Sequence, residues 1–327
     1  MNYRALGKTG LNVSELSFGT WAIGGAWGTT NDTEAIRGLE TAMNEGVNFF
    51  DTADVYGDGH AEELLARATR GREQDIHIAS KFCRAGDIED PATYSEDSVR
   101  GYLEATLRRL NRDQLDLYQI HCPPKHIIED GAVFDVLDKL KQEGKIAHYG
   151  VSVETVEEGL LSLEKPGVEV LQVIFNIFRQ KPVAELFPKA QEKGAGIIAR
   201  VPLASGLLTG KFKEGHEFEA DDHRRFNSEG QAFNVGETFG GVPFSAGVAL
   251  AQELEWIAEG RNTMTQASLR WILDHEAVST VIPGFKRVDQ VQDTLQAVKV
   301  PSFSKEEMDR LTDFYDRQVH DLIRGAY

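Results

Sequence analysis

The chain has 327 residues, a length that α/β barrels reach around one core, so a single domain over 1–327 is expected. Hydrophobic residues make up 41% and charged residues 27%, which supports a packed core and excludes wholesale disorder. A net charge of −17 argues against nucleic acid or an anionic membrane as partner, because a phosphate backbone needs a basic face, and it leaves a small molecule as the expected ligand.

Two cysteines, Cys83 and Cys122, are too few for a disulfide framework and form no CxxC pair, which fits a cytoplasmic setting. Residues 1–10 lack an apolar run of the kind that directs export, and no stretch of 18 apolar residues suggests a membrane span. A monomer or small homo-oligomer is expected.

In chain order, the turn cluster 7–10 between the short runs 4–6 and 11–13 predicts a β-hairpin. Strands are then predicted at 15–18, 48–51, 77–81 and 115–121, with a helix at 95–110 that carries Val99, Leu103, Leu107 and Leu110 on one stripe behind a Ser95 N-cap. A second helix over 133–143 stops at Gly144, and strands follow at 148–152, 170–176 and 196–200. The stretch 202–243 has no helical period and is too long for an idle connection; it is read either as a binding lid or as a loop anchored by Phe212, Phe218, Phe226, Phe233 and Phe239. The last strand, 278–283, leads through Lys286 and Arg287 into a helix over 288–297. Eight strand–helix units predict a (β/α)8 TIM barrel with an N-terminal β-hairpin and a long loop after strand 7, and in that fold the chemistry sits at the C-terminal ends of the strands.

Three consecutive strand ends carry a polar group: Asp51, Lys81 and His121. Tyr56 follows Asp51 by five residues, so four groups converge if the strands are neighbours. A tyrosine is a weak acid near neutrality, and a cation such as Lys81 within hydrogen-bond reach should favour its phenolate by roughly 1–3 pKa units. Asp51 would hold the ammonium, and His121 could donate to a reacting oxygen. The set suits reduction of a carbonyl, with Tyr56 protonating oxygen; no side chain donates hydride, so a nicotinamide cofactor is implied.

The run Asn48-Phe49-Phe50-Asp51-Thr52-Ala53-Asp54-Val55-Tyr56-Gly57, then Lys81, then His121-Cys122-Pro123, resembles the catalytic signature of the aldo-keto reductase superfamily. Gly150-Val151-Ser152, the segment from Arg200 to Lys211 and Ile282-Pro283-Gly284 extend the likeness over nearly the whole chain, and the Gly206 to Lys211 part is similar to the bacterial branch of inositol-cluster and general-stress reductases. The resemblance implies a catalytic tetrad of Asp51, Tyr56, Lys81 and His121, and NADPH/NADP+ lying across the barrel mouth. Gly19, Thr20 and Trp21 would line the nicotinamide end with Asp51, while Ser152 and Gln172 would hold the carboxamide. Arg200, Val201 and Pro202 would also be cofactor contacts, Leu203, Ser205, Gly206 and Lys211 would cover the pyrophosphate, Gly284, Lys286, Arg287 and Gln290 would meet the adenosine phosphate with Phe285 beside them, and Asp293 or Gln290 would serve near the adenine. A helix start is suited to an anion. Trp21, Trp27, Tyr56 and His121 are the candidate substrate residues, for a small carbonyl compound with a lean towards apolar aldehydes or ketones.

The chain departs from the family pattern at a few positions. Val153 stands where an Asn is usual, so one hydrogen bond to the carboxamide, worth roughly 0.5–1.5 kcal/mol, should be missing. Arg200 stands where an aromatic ring commonly stacks on the nicotinamide; it is read either as speeding release of the oxidised, positive cofactor or as an ion pair at the rim. Thr294 replaces an expected Asn near the adenine, and Cys122 is either exposed at the substrate mouth or buried. No spacing of His, Cys or acidic residues suggests a metal. The rival reading is a cofactor-binding redox sensor or regulatory subunit with little turnover, since fold alone does not distinguish the two.

Overall fold

The computed structural model describes residues 1–25, 27–28 and 30–327. The hairpin pairs β1 (Tyr3–Ala5) with β2 (Asn12–Ser14) in antiparallel register. Eight strands follow in one parallel sheet, each beside its sequence neighbour: β3 (Phe18–Gly19), β4 (Phe49–Asp51), β5 (His77–Phe82), β6 (Leu115–His121), β7 (Ile146–Val153), β8 (Val170–Ile174), β9 (Gly196–Arg200) and β10 (Val278–Val281). The sheet closes on itself through the Leu16–Val281 and Gly19–Gly284 bridges, where Ser17 N–H donates to Val281 O at 2.9 Å and Gly19 N–H to Pro283 O at 2.9 Å. The (β/α)8 expectation holds, and each of the eight predicted strands overlaps an observed one.

The sequence forms a barrel because its strands are buried on both faces. Residues such as Phe49, Ala79, Leu117, Val170 and Ile198 fill the barrel interior together with Leu6 and Val13 of the hairpin, which seals one end. The intervening residues, among them Phe50, Ile78, Tyr118, Val151 and Ile197, face a larger core shared with the surrounding helices. The hairpin sits so close that a Cβ on Gly7 would run into the backbone of Gly196.

Helix Glu96–Leu110 starts at Ser95, whose side chain accepts from Ser98 N–H as an N-cap. The helix predicted over 288–297 runs only from Val288 to Leu295 and tightens into a 3-10 turn, Gln296–Lys299. The stretch after β9 is built of short turns, including Ala204–Thr209, His223–Phe226 and Val235–Glu237, and its Phe212, Phe218, Phe239 and Phe244 pack ring on ring. Among the described residues no helix is long and apolar enough to cross a membrane.

Candidate active site

The ends of β4, β5 and β6 lie side by side, and this order brings Asp51, Lys81 and His121 to one mouth. Lys81 Nζ donates to Asp51 Oδ2 at 2.6 Å, to Thr52 O at 2.8 Å and to Tyr56 Oη at 3.3 Å, so the ammonium is spent on three oxygens. Asp51 is itself fixed from the barrel interior: Gln172 Nε2 donates to its Oδ1 at 2.7 Å and Gln119 Nε2 at 3.3 Å. The His121 ring stands edge-on to Tyr56, 5.9 Å between centroids, with Nδ1 buried and lacking a hydrogen-bond partner.

Burial dominates the ionisation of this group. It pushes the Tyr56 phenol above its usual value; Lys81 pulls the other way, while Asp51 and Glu237 add to the rise. The Lys81 cation alone predicts a stabilised phenolate; desolvation of the partly buried ring outweighs it. Burial also opposes the charge of Lys81, yet Asp51 and Tyr56 hold its pKa above the usual lysine value. His121 falls well below the ordinary histidine range through burial and the cations Arg84, Lys81 and Arg200, so it is a neutral imidazole.

A second cluster abuts the first. Arg84, just past β5, donates to Glu237 Oε1 at 2.8 Å and to Glu154 Oε1 at 2.9 Å; Arg200, at the end of β9, reaches Glu154 Oε2 at 3.2 Å and Glu237 Oε1 at 3.4 Å. Burial works against the charge of Glu237, but Arg84 and Arg200 keep it well below the usual carboxylate range. Burial and the charge of Glu237 raise Glu154 instead. Arg200 makes the ion pair that one of its two readings expects, with two carboxyls. Cys122 is buried beside Glu154 and Glu237, with burial pushing its thiol up to about 12.

A cavity of about 710 Å³ opens over both clusters and continues to the start of helix Val288–Leu295. Asp51, Tyr56, His121, Trp21 and Trp27 line it, as do Gly19 and Gln172. So do Arg200, Val201, Pro202, Leu203, Ser205, Gly206 and Lys211 after β9, and Gly284, Phe285, Lys286, Arg287, Gln290 and Asp293 after β10. Two expected cofactor residues do not reach it. Thr20 is wholly buried, and Ser152 is also enclosed, its Oγ 3.4 Å from Cys122 Sγ, although Ser152 stands in register between His121 and Gln172, both of which line the cavity. Several expected contacts already have partners: Gln172 holds Asp51, Asp293 accepts from Gln266 Nε2 at 2.8 Å, Lys286 Nζ donates to Trp27 O, and Arg287 pairs with the exposed Asp289.

The segment after β9 is bent by left-handed backbone at Val201 (φ 52°), Ala204 (φ 47°) and Ser205 (φ 53°), none of them glycine. Such conformations cost about 1–3 kcal/mol each and collect at ligand sites. Ser205 spends its hydroxyl on the loop, accepting from Phe239 N–H at 3.0 Å and lying 3.2 Å from Glu237 O.

The sequence reading missed Gln119, Arg84, Glu154 and Glu237. Gln119 was detectable, because it lies two residues before His121 on the same face of β6. The ion cluster was not: its members come from three strand ends and a loop without periodicity. Arg224, also unforeseen, lines the cavity with its guanidinium clamped by Asp222 and stacked 5.0 Å from the Trp27 ring.

A model of the aldo/keto reductase family matches residues 15–316. The chain is 27% identical over 332 residues to the aldo-keto reductase YhdN of Bacillus subtilis, covering 99% of this chain and 96% of that one. It is 31% identical over 320 residues to a probable voltage-gated potassium channel subunit beta of Arabidopsis thaliana, with 92% of each covered. Among solved structures, the glycerol dehydrogenase of Gluconobacter oxydans is similar with a TM-score of 0.79 at 30% identity, covering 100% of this chain and 98% of the other.

Proposed function

The chain belongs to the aldo/keto reductase family, and from that membership we propose that it reduces an aldehyde or ketone to the alcohol with NADPH, taking the proton from Tyr56. The observation that carries this reading is the buried contact of Lys81 Nζ with both Asp51 Oδ2, at 2.6 Å, and Tyr56 Oη, at 3.3 Å, on the wall of a large cavity.

The donor set suits the cofactor. Lys211, Lys286 and Arg287 supply local positive charge for phosphate in a molecule of net charge −17. When bound, the nicotinamide would supply the hydride. Tyr56 enters the reaction as a neutral phenol and gives its proton to the substrate oxygen. Lys81, already aimed at Tyr56 Oη, stabilises the phenolate that results, and Asp51 keeps that ammonium charged and in place. Neutral His121 has one N–H to donate to the carbonyl oxygen, which orients it. A subunit that only bound the dinucleotide would have no use for this phenol–ammonium contact, which favours turnover over a sensor.

The test is nicotinamide absorbance with a panel of aldehydes, alongside NADPH fluorescence titration, for the wild type and Tyr56→Phe. Turnover should fall by about 10²–10⁴-fold while NADPH binding persists. Full turnover in the variant would remove Tyr56 from the chemistry, and absence of turnover in the wild type would remove the reductase reading.

A further inference from the structure

Glu237 belongs to neither the tetrad nor the expected cofactor contacts, yet it lines the cavity and is only 4% exposed. On the reading that the chain is a carbonyl reductase, we propose that Glu237 determines specificity: it selects neutral carbonyl compounds with a hydroxyl beside the carbonyl and rejects those with a carboxylate there.

The position comes first. The long stretch after β9 returns to the barrel at the turn Val235–Glu237, and the Glu237 carboxylate docks between Arg84 and Arg200. Its partner Arg200 also donates to the Sγ of Cys122, next in sequence to His121, at 3.4 Å, so Glu237 stands near the reacting end of the cavity, and its field adds to the rise of the Tyr56 pKa.

Charge follows from the pairing. Around the reacting end, Lys81 is paired with Asp51, and Arg84 and Arg200 with Glu154 and Glu237. A carboxylate carried next to the substrate carbonyl would lose its water, meet no uncompensated cation among these, and approach a fixed anion. A neutral hydroxyl meets a different surface. Glu237 Oε1 lies 2.8 Å from Arg84 and 3.4 Å from Arg200, whereas Oε2 makes a longer contact to Arg84 at 3.4 Å, and the carboxyl also meets that of Glu154. Oε2 retains capacity to accept a hydrogen bond, and a bond to a charged acceptor is the stronger kind. Trp21 and Trp27, edge to face at 5.4 Å, line the same cavity and cover the C–H surface of a short polar chain. The aromatic walls favour apolar substrates; a carboxylate on the same cavity favours hydroxylated ones.

The experiment measures kcat/KM, referred to the unhydrated aldehyde, for glyceraldehyde, propanal and glyoxylate with wild type, Glu237→Gln and Glu237→Asp. The wild type should prefer glyceraldehyde to propanal by about tenfold or more, with glyoxylate poorest. Glu237→Gln leaves two guanidiniums facing one carboxyl, so its glyoxylate-to-propanal ratio should rise by about tenfold and its glyceraldehyde-to-propanal ratio fall by about as much. Glu237→Asp keeps the charge and should keep the wild-type ranking. A purely structural role would lower all three rates together with the ratios intact, and that result overturns the proposal. A wild-type ratio of glyceraldehyde to propanal near one overturns it as well, even where the Gln variant does not fold. In both of those cases the reductase reading stands; absence of NADPH oxidation with all three aldehydes overturns that reading and this proposal with it.

Discussion

Tyr56 can act as an acid only if it meets the substrate with its proton on, and enclosure secures this: burial lifts the phenol above its usual pKa while Lys81, held charged by Asp51, waits to stabilise the anion once formed. His121, driven below its normal range, does not change charge near neutrality either. Neither group titrates between about pH 7 and 9, so the reductive kcat/KM should contain no step from them in that interval and should fall only as the phenol ionises, above about pH 10. A descending limb centred near neutrality that disappears in Tyr56→Phe would contradict this. Two residues before Tyr56, Asp54 presents the opposite case. Burial, with the charge of Glu62, lifts its carboxyl to about 7 against the weaker pull of the Val55 backbone N–H, Arg109 and Lys81, and both its oxygens are buried. Because the folded pKa lies above the unfolded one, the folded state keeps a proton that the unfolded chain releases; stability is unaffected below about pH 4, falls as pH rises to 7, and then levels off. The cost at the plateau is on the order of 4 kcal/mol at most. Asp54→Asn should therefore gain stability over the wild type as pH climbs from 4 to 7. Thermal unfolding at several pH values checks it, and a difference that does not vary with pH would mean that Asp54 is already ionised.

Strands were the elements most legible in the sequence, for a reason visible in their burial. Every residue of β4, β8, β9 and β10 is enclosed, so each reads as a short apolar run, and the polar residue that ends a run stands out as Asp51 and Arg200 do. Three of the tetrad could be read from strand ends and the fourth from its spacing. Arg200 is legible as an ion-pairing residue at a strand end, but its partners Arg84, Glu154 and Glu237 are not, because barrel closure and a loop whose turns follow no period bring them together. The 3-10 ending of the last predicted helix lay within the usual uncertainty of helix ends. One glycine marks how tightly the strands are held. Gly150 in β7 pairs with Gln119 of β6 on one side and Val170 of β8 on the other, and a Cβ there would run into the Val170 carbonyl. A backbone oxygen within a sheet cannot move aside as a flexible side chain can. Gly150→Ala should lower stability by about 1–3 kcal/mol or more, measured as the urea midpoint; an unchanged midpoint would mean that β7 and β8 can separate without cost.

At the scale of the whole molecule, 52 acidic residues against 35 basic ones set a negative field, whereas Lys211, Arg224, Lys286 and Arg287 gather at one stretch of the cavity. The two features should answer salt with opposite signs. Self-repulsion of a −17 chain destabilises the compact state, and raising ionic strength from 0.01 to 0.5 M shortens the screening length from about 30 Å to a few ångströms, so the melting temperature of the protein alone should rise. Exposed pairs such as Lys305–Asp309 and Arg287–Asp289 lose attraction over the same range, but each is worth little, and the buried Lys81–Asp51 pair is hardly screened. A dinucleotide phosphate instead depends on short-range attraction to the local cations, so the Kd for NADPH should increase with salt while stability also increases. Lys286→Ala should flatten the salt dependence of Kd and leave that of the melting temperature in place, because one charge in the cavity contributes much to the local field and little to the total. Parallel titrations and melts along one salt series separate the two fields; an NADPH affinity that improves with salt would mean that the global charge, not the local cluster, governs binding.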